Sequence, residues 1–195
     1  MIPSLDDIVR YVVGAGLLLK NDERGMAAFD VSLVGFLQSF AAALIVLPLF
    51  AFVHYVQSRE IGMDATPMGI AILAYAAQWL AFPLTAAGLA KLMHREQHFV
   101  PYVVAANWAS IIQIAVVAAA VLLGTLLSPG VAGLLLLLAT IGLLIYDFFI
   151  ARIAFHTPGI DGGAVVVVQL LVSMLVQHLV RSEERRVGKE CATGC

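Results

Sequence analysis

Asp147 is the residue of this chain best placed to do chemistry. It follows directly on a stretch, 97–146, that holds no Asp, Glu, Lys or Arg. A carboxylate in apolar surroundings must find a partner, find water or take up a proton, and each of these is a usable property. Amides are spread around it in sequence: Gln38, Gln78, Asn107, Gln113 and Gln169 each fall within a long apolar run. In hydrocarbon an amide either ties two helices together, at about 0.6 to 2 kcal/mol, or lines a polar path. Asp147 and these five amides are the candidate functional residues, and structural glue is the competing role for each. Lys91 and Arg95 are the expected partners of Asp147. Arg152, five residues on, lies about 140° around a helix from it and suits the pairing less well.

Other constellations fail on their own terms. His94 and His98 are four apart, which would put two imidazoles on one helix face. The metalloprotease pattern H-E-x-x-H has its glutamate directly after the first histidine; here Arg95 stands there and Glu96 is displaced by one. No third ligand is evident, so a headgroup-level loop is expected rather than a metal site. Paired acids, a nucleophile–base pair and a glycine-rich phosphate loop are all missing, so the sequence points to no enzyme and no cofactor. Both cysteines, Cys191 and Cys195, lie at the extreme C-terminus, which leaves residues 1–180 without thiol chemistry.

These residues must be positioned by membrane spans. Of 195 residues, 62% are hydrophobic and 12% charged, about half the charge a soluble domain carries. Roughly 20 helical residues cross a hydrocarbon core of about 30 Å, and several uncharged runs here reach that length. The pattern predicts an all-α polytopic transmembrane bundle of five spans, at about 31–55, 66–90, 100–127, 131–151 and 162–180. Ser128-Pro129-Gly130 turns the chain between the third and fourth, and Asp30 is expected to cap the first. Pro48 and Pro83 interrupt the first two spans and read as packing features. Trp79 reads as a mid-span packing residue. Tyr102 and Trp108, near one end of the third span, suit an interfacial aromatic belt. Ahead of the spans, Ser4 caps an amphipathic helix with Asp6 and Asp7 in its first turn. That helix lacks a Lys/Arg-rich face and is expected to pack against the bundle rather than float on lipid.

The organisation is therefore an N-terminal cytoplasmic or interfacial segment (1–30), a five-span domain (31–180) and a tail (181–195). The tail sequence RSEERRVGKEC, residues 181–191, resembles a translated sequencing adapter, so 181–195 is read as artefactual and the native sequence beyond about Val180 as replaced. Four of the eleven Lys and Arg residues lie there. Of the remaining seven, Arg10, Lys20, Arg24, Lys91, Arg95 and Arg152 fall on one side of the membrane and Arg59 alone on the other. The side rich in Lys and Arg is the cytoplasm, which predicts a multi-pass inner-membrane protein with a cytoplasmic N-terminus. With a formal body charge of −3 and no basic patch, nucleic acid is not an expected partner. The lipid bilayer is, together with another membrane protein or a second copy of the chain.

The layout resembles bacterial members of the Yip-type family. The resemblance is carried by Asp30-Val-Ser-Leu-Val-Gly-Phe36 opening the first span and Pro101-Tyr-Val-Val-Ala-Ala-Asn-Trp108 opening the third. It implies a cytoplasmic N-terminal segment, five closely spaced spans and an external C-terminus. The Asp-Leu-Tyr-Gly-Pro signature of the eukaryotic relatives is absent, so their Rab GTPase binding is not carried over. Two functions stand as expectations: a non-enzymatic membrane-organising or partner-binding protein, and a small transporter or permease component. The second requires the amides and the proline-broken spans to converge on one cavity. For topology, reporter fusions after Arg24, within 91–98 and after Arg152 should report cytoplasm and one near Asp64 the outside. A cytoplasmic signal near Asp64 would reverse the assignment.

Overall fold

A computed structural model describes residues 3–61 and 66–193, without the side chains of 60, 61, 181 and 183–193. The seven helices are α1 (Leu5–Leu19), α2 (Leu33–Ser39), α3 (Ala41–Ile61), α4 (Met68–Leu92), α5 (Phe99–Gly124), α6 (Pro129–Phe155) and α7 (Gly159–Thr193), with no strand among the described residues. Five helical segments are long and apolar enough to cross a membrane: Leu33–Arg59, Met68–Leu92, Glu96–Gly124, Pro129–Phe155 and Gly159–Val180. Their outward faces carry Leu44, Leu80, Leu84, Leu137 and Met174, all exposed, as a bilayer solvent permits. The loop around Asp64 lies outside the described residues.

The first span is two helices rather than one. Ser32, not Asp30, is its N-cap: the Ser32 hydroxyl accepts the Gly35 amide at 3.1 Å. Asp30 braces the cap by accepting the Ser32 amide at 2.9 Å, and these bonds hold its carboxyl below the usual range. Gly35 is obligatory, because a Cβ there would fall 2.0 Å from the Asp30 carbonyl oxygen. The α2–α3 break at Phe40 follows Ser39, whose hydroxyl donates to the Phe36 carbonyl and competes with the helix ladder.

The spans close into a ring. α3 packs on α5, α5 on α6, α6 on α7, α7 on α4, and α4 returns to α3. The buried core is concentrated at the end of the ring where α1 sits, built from Trp108, Tyr102, Tyr146, Ile150 and Phe155 with Tyr11 and Leu18 of α1. At the opposite end only Val53, Ala118 and Val121 form a buried cluster. Tyr102 and Trp108 thus belong to the interior rather than to an interfacial belt, because α1 covers that end of the bundle. Trp108 packs at a tilt against Tyr11 with ring centroids 4.8 Å apart.

Helix α1 starts as its sequence implies. Ser4 and Asp7 form a reciprocal capping box, and the Ser4 bonds lower the Asp7 carboxyl's pKa. Tyr11, Gly14, Ala15 and Leu18 face the bundle, and the Ala15 carbonyl accepts the Tyr146 hydroxyl at 2.7 Å. Leu5, Val9 and Val13 face away. The return strap 23–28 presses against α1 at two glycines. A Cβ on Gly14 would stand 2.6 Å from the Ala28 Cβ, and one on Gly25 2.5 Å from the Gly14 carbonyl oxygen.

At the other end of the sequence, the α7 backbone remains helical to Thr193, so 181–195 begins as a continuation of the fifth span. The close approach at the N-terminus yields a paired test. Gly14→Leu should destabilise the bundle by about 1 to 3 kcal/mol and expose Arg10 to protease. Gly16→Leu, with nothing within 4 Å, should leave thermal stability and cleavage unchanged.

Candidate functional site: a polar cavity inside the helix ring

The ring encloses a cavity of about 560 Å³ to which all five spans contribute. Val46 and Phe50 come from α3, either side of Pro48, and Trp79 and Phe82 come from α4 just before Pro83. Proline cannot donate its nitrogen to the carbonyl four residues earlier, so Pro48 frees the Leu44 carbonyl and Pro83 that of Trp79. Tyr75 of α4 then donates to the neighbouring Ala43 carbonyl at 2.6 Å, tying α4 to α3 beside the break. Trp79 is a wall of this cavity rather than simple packing.

Asp147 opens onto the cavity, and it lies deeper than its sequence position suggests. The fourth span was expected to end near Ala151, but α6 continues to Phe155. Asp147 is therefore eight residues, about 12 Å, from the helix end. The extension has a cause: His156 takes a left-handed conformation (φ 53°) that closes the helix, and Arg95 donates to the Phe155 and His156 carbonyls, each at 2.9 Å. Arg95 is thus committed to the α6 C-terminus and Lys91 is exposed, so neither pairs with Asp147. Arg152 reaches Asn21 instead, at 2.7 Å. The partner that Asp147 does find is an amide: Gln113 of α5 donates to Asp147 Oδ1 at 2.5 Å.

The remaining amides divide into two groups. Asn107 lines the cavity but is spent on structure, donating to the Ser39 hydroxyl at 2.8 Å and so fixing the α2–α3 break against α5. Gln38 does not reach the cavity. Gln78 and Gln169 do, and they are unspent: Oε1 of Gln78 and both polar atoms of Gln169 are buried without a hydrogen-bond partner among the described residues. Leaving one such atom unpaired costs about 1 to 3 kcal/mol, so these groups call for water or a ligand. Ser110 and Ser173 add hydroxyls to the wall.

A second, smaller cavity of about 250 Å³ shares Phe50, Tyr75 and Gln78 with the first and continues to Thr66, Gln177 and Val180 at the end remote from α1. There His54 Nε2 sits 2.8 Å from the Thr66 carbonyl and links α3 to the start of α4. The two cavities form a path from mid-membrane towards that end, while the aromatic core closes the end under α1.

His94 lies in a left-handed turn (φ 54°) and His98 ends a short 3-10 turn, so the two share no helix face. The His98 ring packs instead on His156, with centroids 4.8 Å apart. No group of three or more metal-ligating side chains occurs among the described residues.

Sequence reasoning named the acid and the amides but missed the aromatic walls. Phe50, Tyr75, Trp79 and Phe82 are spread over two helices whose apolar residues show no preferred face, and only Pro48, two residues before Phe50, and Pro83, directly after Phe82, hint at a shared feature. Comparison with protein-family models, curated proteins and solved structures finds no match.

The Asp147–Gln113 contact makes a graded prediction. Asp147→Asn keeps an acceptor for Gln113 and should lower the melting temperature only slightly. Asp147→Leu leaves that amide unpaired and should cost about 1 to 3 kcal/mol. Equal losses from both substitutions would show that the carboxylate's partner lies elsewhere.

Proposed function

We propose that this protein is a small intramembrane carrier or permease component that binds a solute at mid-membrane. The observation that carries the reading is the convergence of Asp147, Gln78, Gln113 and Gln169, from four different helices, on one cavity with three polar atoms left unpaired. Glue between helices would have consumed those groups, as it consumes Asn107. Prolines inside two of the lining helices, α3 and α4, each free a backbone carbonyl near the cavity wall, a feature that transporter sites also use. A purely membrane-organising role needs no such cavity.

By the Lys/Arg count, the α1 end faces the cytoplasm of the inner membrane. The smaller cavity then points outward, and this conformation is the outward-facing one. The closed end under α1 is the inner gate. Its parts are Tyr11 against Trp108, Tyr146 on the Ala15 carbonyl, and Tyr102 against Phe155. No reaction is assigned to the site: among the described residues no second acid lines it beside Asp147.

Cysteine labelling tests the reading cleanly, since the only cysteines are Cys191 and Cys195. With both replaced by serine, Ser173→Cys should react with a membrane-impermeant thiol reagent added outside whole cells, while Ala105→Cys, fully buried in the core, should not. Silence at position 173 from either side of the membrane would mean a sealed, dry interior and would end the carrier reading.

A further inference from the structure

The cavity's charge and wall chemistry narrow the class of solute. Asp147 is the one charged side chain lining it, and no Lys or Arg lines either cavity among the described residues. The nearest histidine, His54, lies in the smaller cavity and is engaged at Thr66. Gln113 occupies only Oδ1 of the carboxylate; Oδ2 receives no hydrogen bond among the described residues. An ionised carboxylate inside a span needs a counter-charge, water or a proton, and no counter-charge lines the cavity among the described residues.

The walls suit a cation as well. Five aromatic side chains face the cavity: Phe50, Tyr75, Trp79, Phe82 and Tyr102. They run in contact, Phe50 to Tyr75 at 4.7 Å, Tyr75 to Trp79 at 6.0 Å and Phe82 to Tyr102 at 5.7 Å between centroids. Aromatic faces attract cations, more strongly when water is excluded. The unpaired carbonyl oxygens of Gln78 and Gln169 are acceptors for N–H donors. An inorganic ion would leave most of about 560 Å³ unfilled, a volume typical of sites for organic ligands.

We infer that the solute is a lipophilic organic cation, its charge held at Asp147 and its apolar body against the aromatic wall. This rests on the carrier reading above and names the solute class within it. The same cavity would reject anions, for which it offers a carboxylate and no fixed positive charge.

Tetraphenylphosphonium and tetraphenylborate, alike in shape and opposite in charge, make the test. Equilibrium binding to the purified full chain in detergent should be saturable for the phosphonium and absent for the borate. Asp147→Asn should weaken phosphonium binding about tenfold or more without a matching loss of thermal stability. Asp147→Glu should restore part of it, and Trp79→Leu should weaken it by a smaller factor. Saturable binding of the borate, or phosphonium binding unchanged in Asp147→Asn, would overturn the cation assignment while leaving the cavity a binding site. Binding of neither probe would also overturn it, and the labelling of Ser173→Cys then decides separately whether the carrier reading survives.

Discussion

Hydrocarbon offers no hydrogen bonds, and that single constraint organises this molecule. Every polar group carried into a span must find a partner within the protein or a pocket of water. The chain carries one acid and a handful of amides into its spans, and the helices are arranged around how those are satisfied. Asn107 meets Ser39, and in doing so fixes the point where the first span breaks. Gln113 meets Asp147, and so sets the register of α5 against α6. Gln78 Oε1 and the Gln169 amide, the latter beside the Tyr102 hydroxyl, make no hydrogen bond of good geometry among the described residues, and the space before them is the cavity. The apolar residues, which dominate the sequence, mostly face lipid and decide less.

Close packing and open cavity are segregated along the helix axes. The end under α1 is packed tightly with aromatic rings and small residues, such as Ala86, Ala105 and Ala109, that let helices approach closely. The remote end has few buried side chains and a path leading in from it. On the carrier reading proposed above, a ring of five helices closed at one end and loose at the other would need only a change at the closed end to alternate access. The contacts that would change are few: the ring contacts Tyr11–Trp108 and Tyr102–Phe155, and one tyrosine hydroxyl on a helix carbonyl.

Span number, helix class and the Ser4 cap were legible in the sequence, because composition and short-range caps act locally. The candidate residues were legible too, since an Asp or Gln inside an apolar run stands out. Their partners were not. Lys91 and Arg95 sit at the right membrane level for Asp147, but Arg95 is drawn to the carbonyls at the α6 end, an attraction that depends on where that helix stops. Four more helical residues moved Asp147 inward and out of reach of the loop. Tyr102 and Trp108 read as belt residues because nothing local records that α1 folds back over them. Nor does a sequence of five similar apolar helices record their order in the ring, which decides whether amides on different helices meet.

The account stands on Gln169 facing an occupied polar space at mid-membrane. An experimental structure determined in lipid, at a resolution that resolves ordered water, tests this most directly. The account predicts density within hydrogen-bonding distance of the Gln169 amide and Gln78 Oε1, continuous with the Asp147 carboxylate. A cavity collapsed between α4 and α7, with Gln169 paired to a protein group or turned towards lipid, would contradict it.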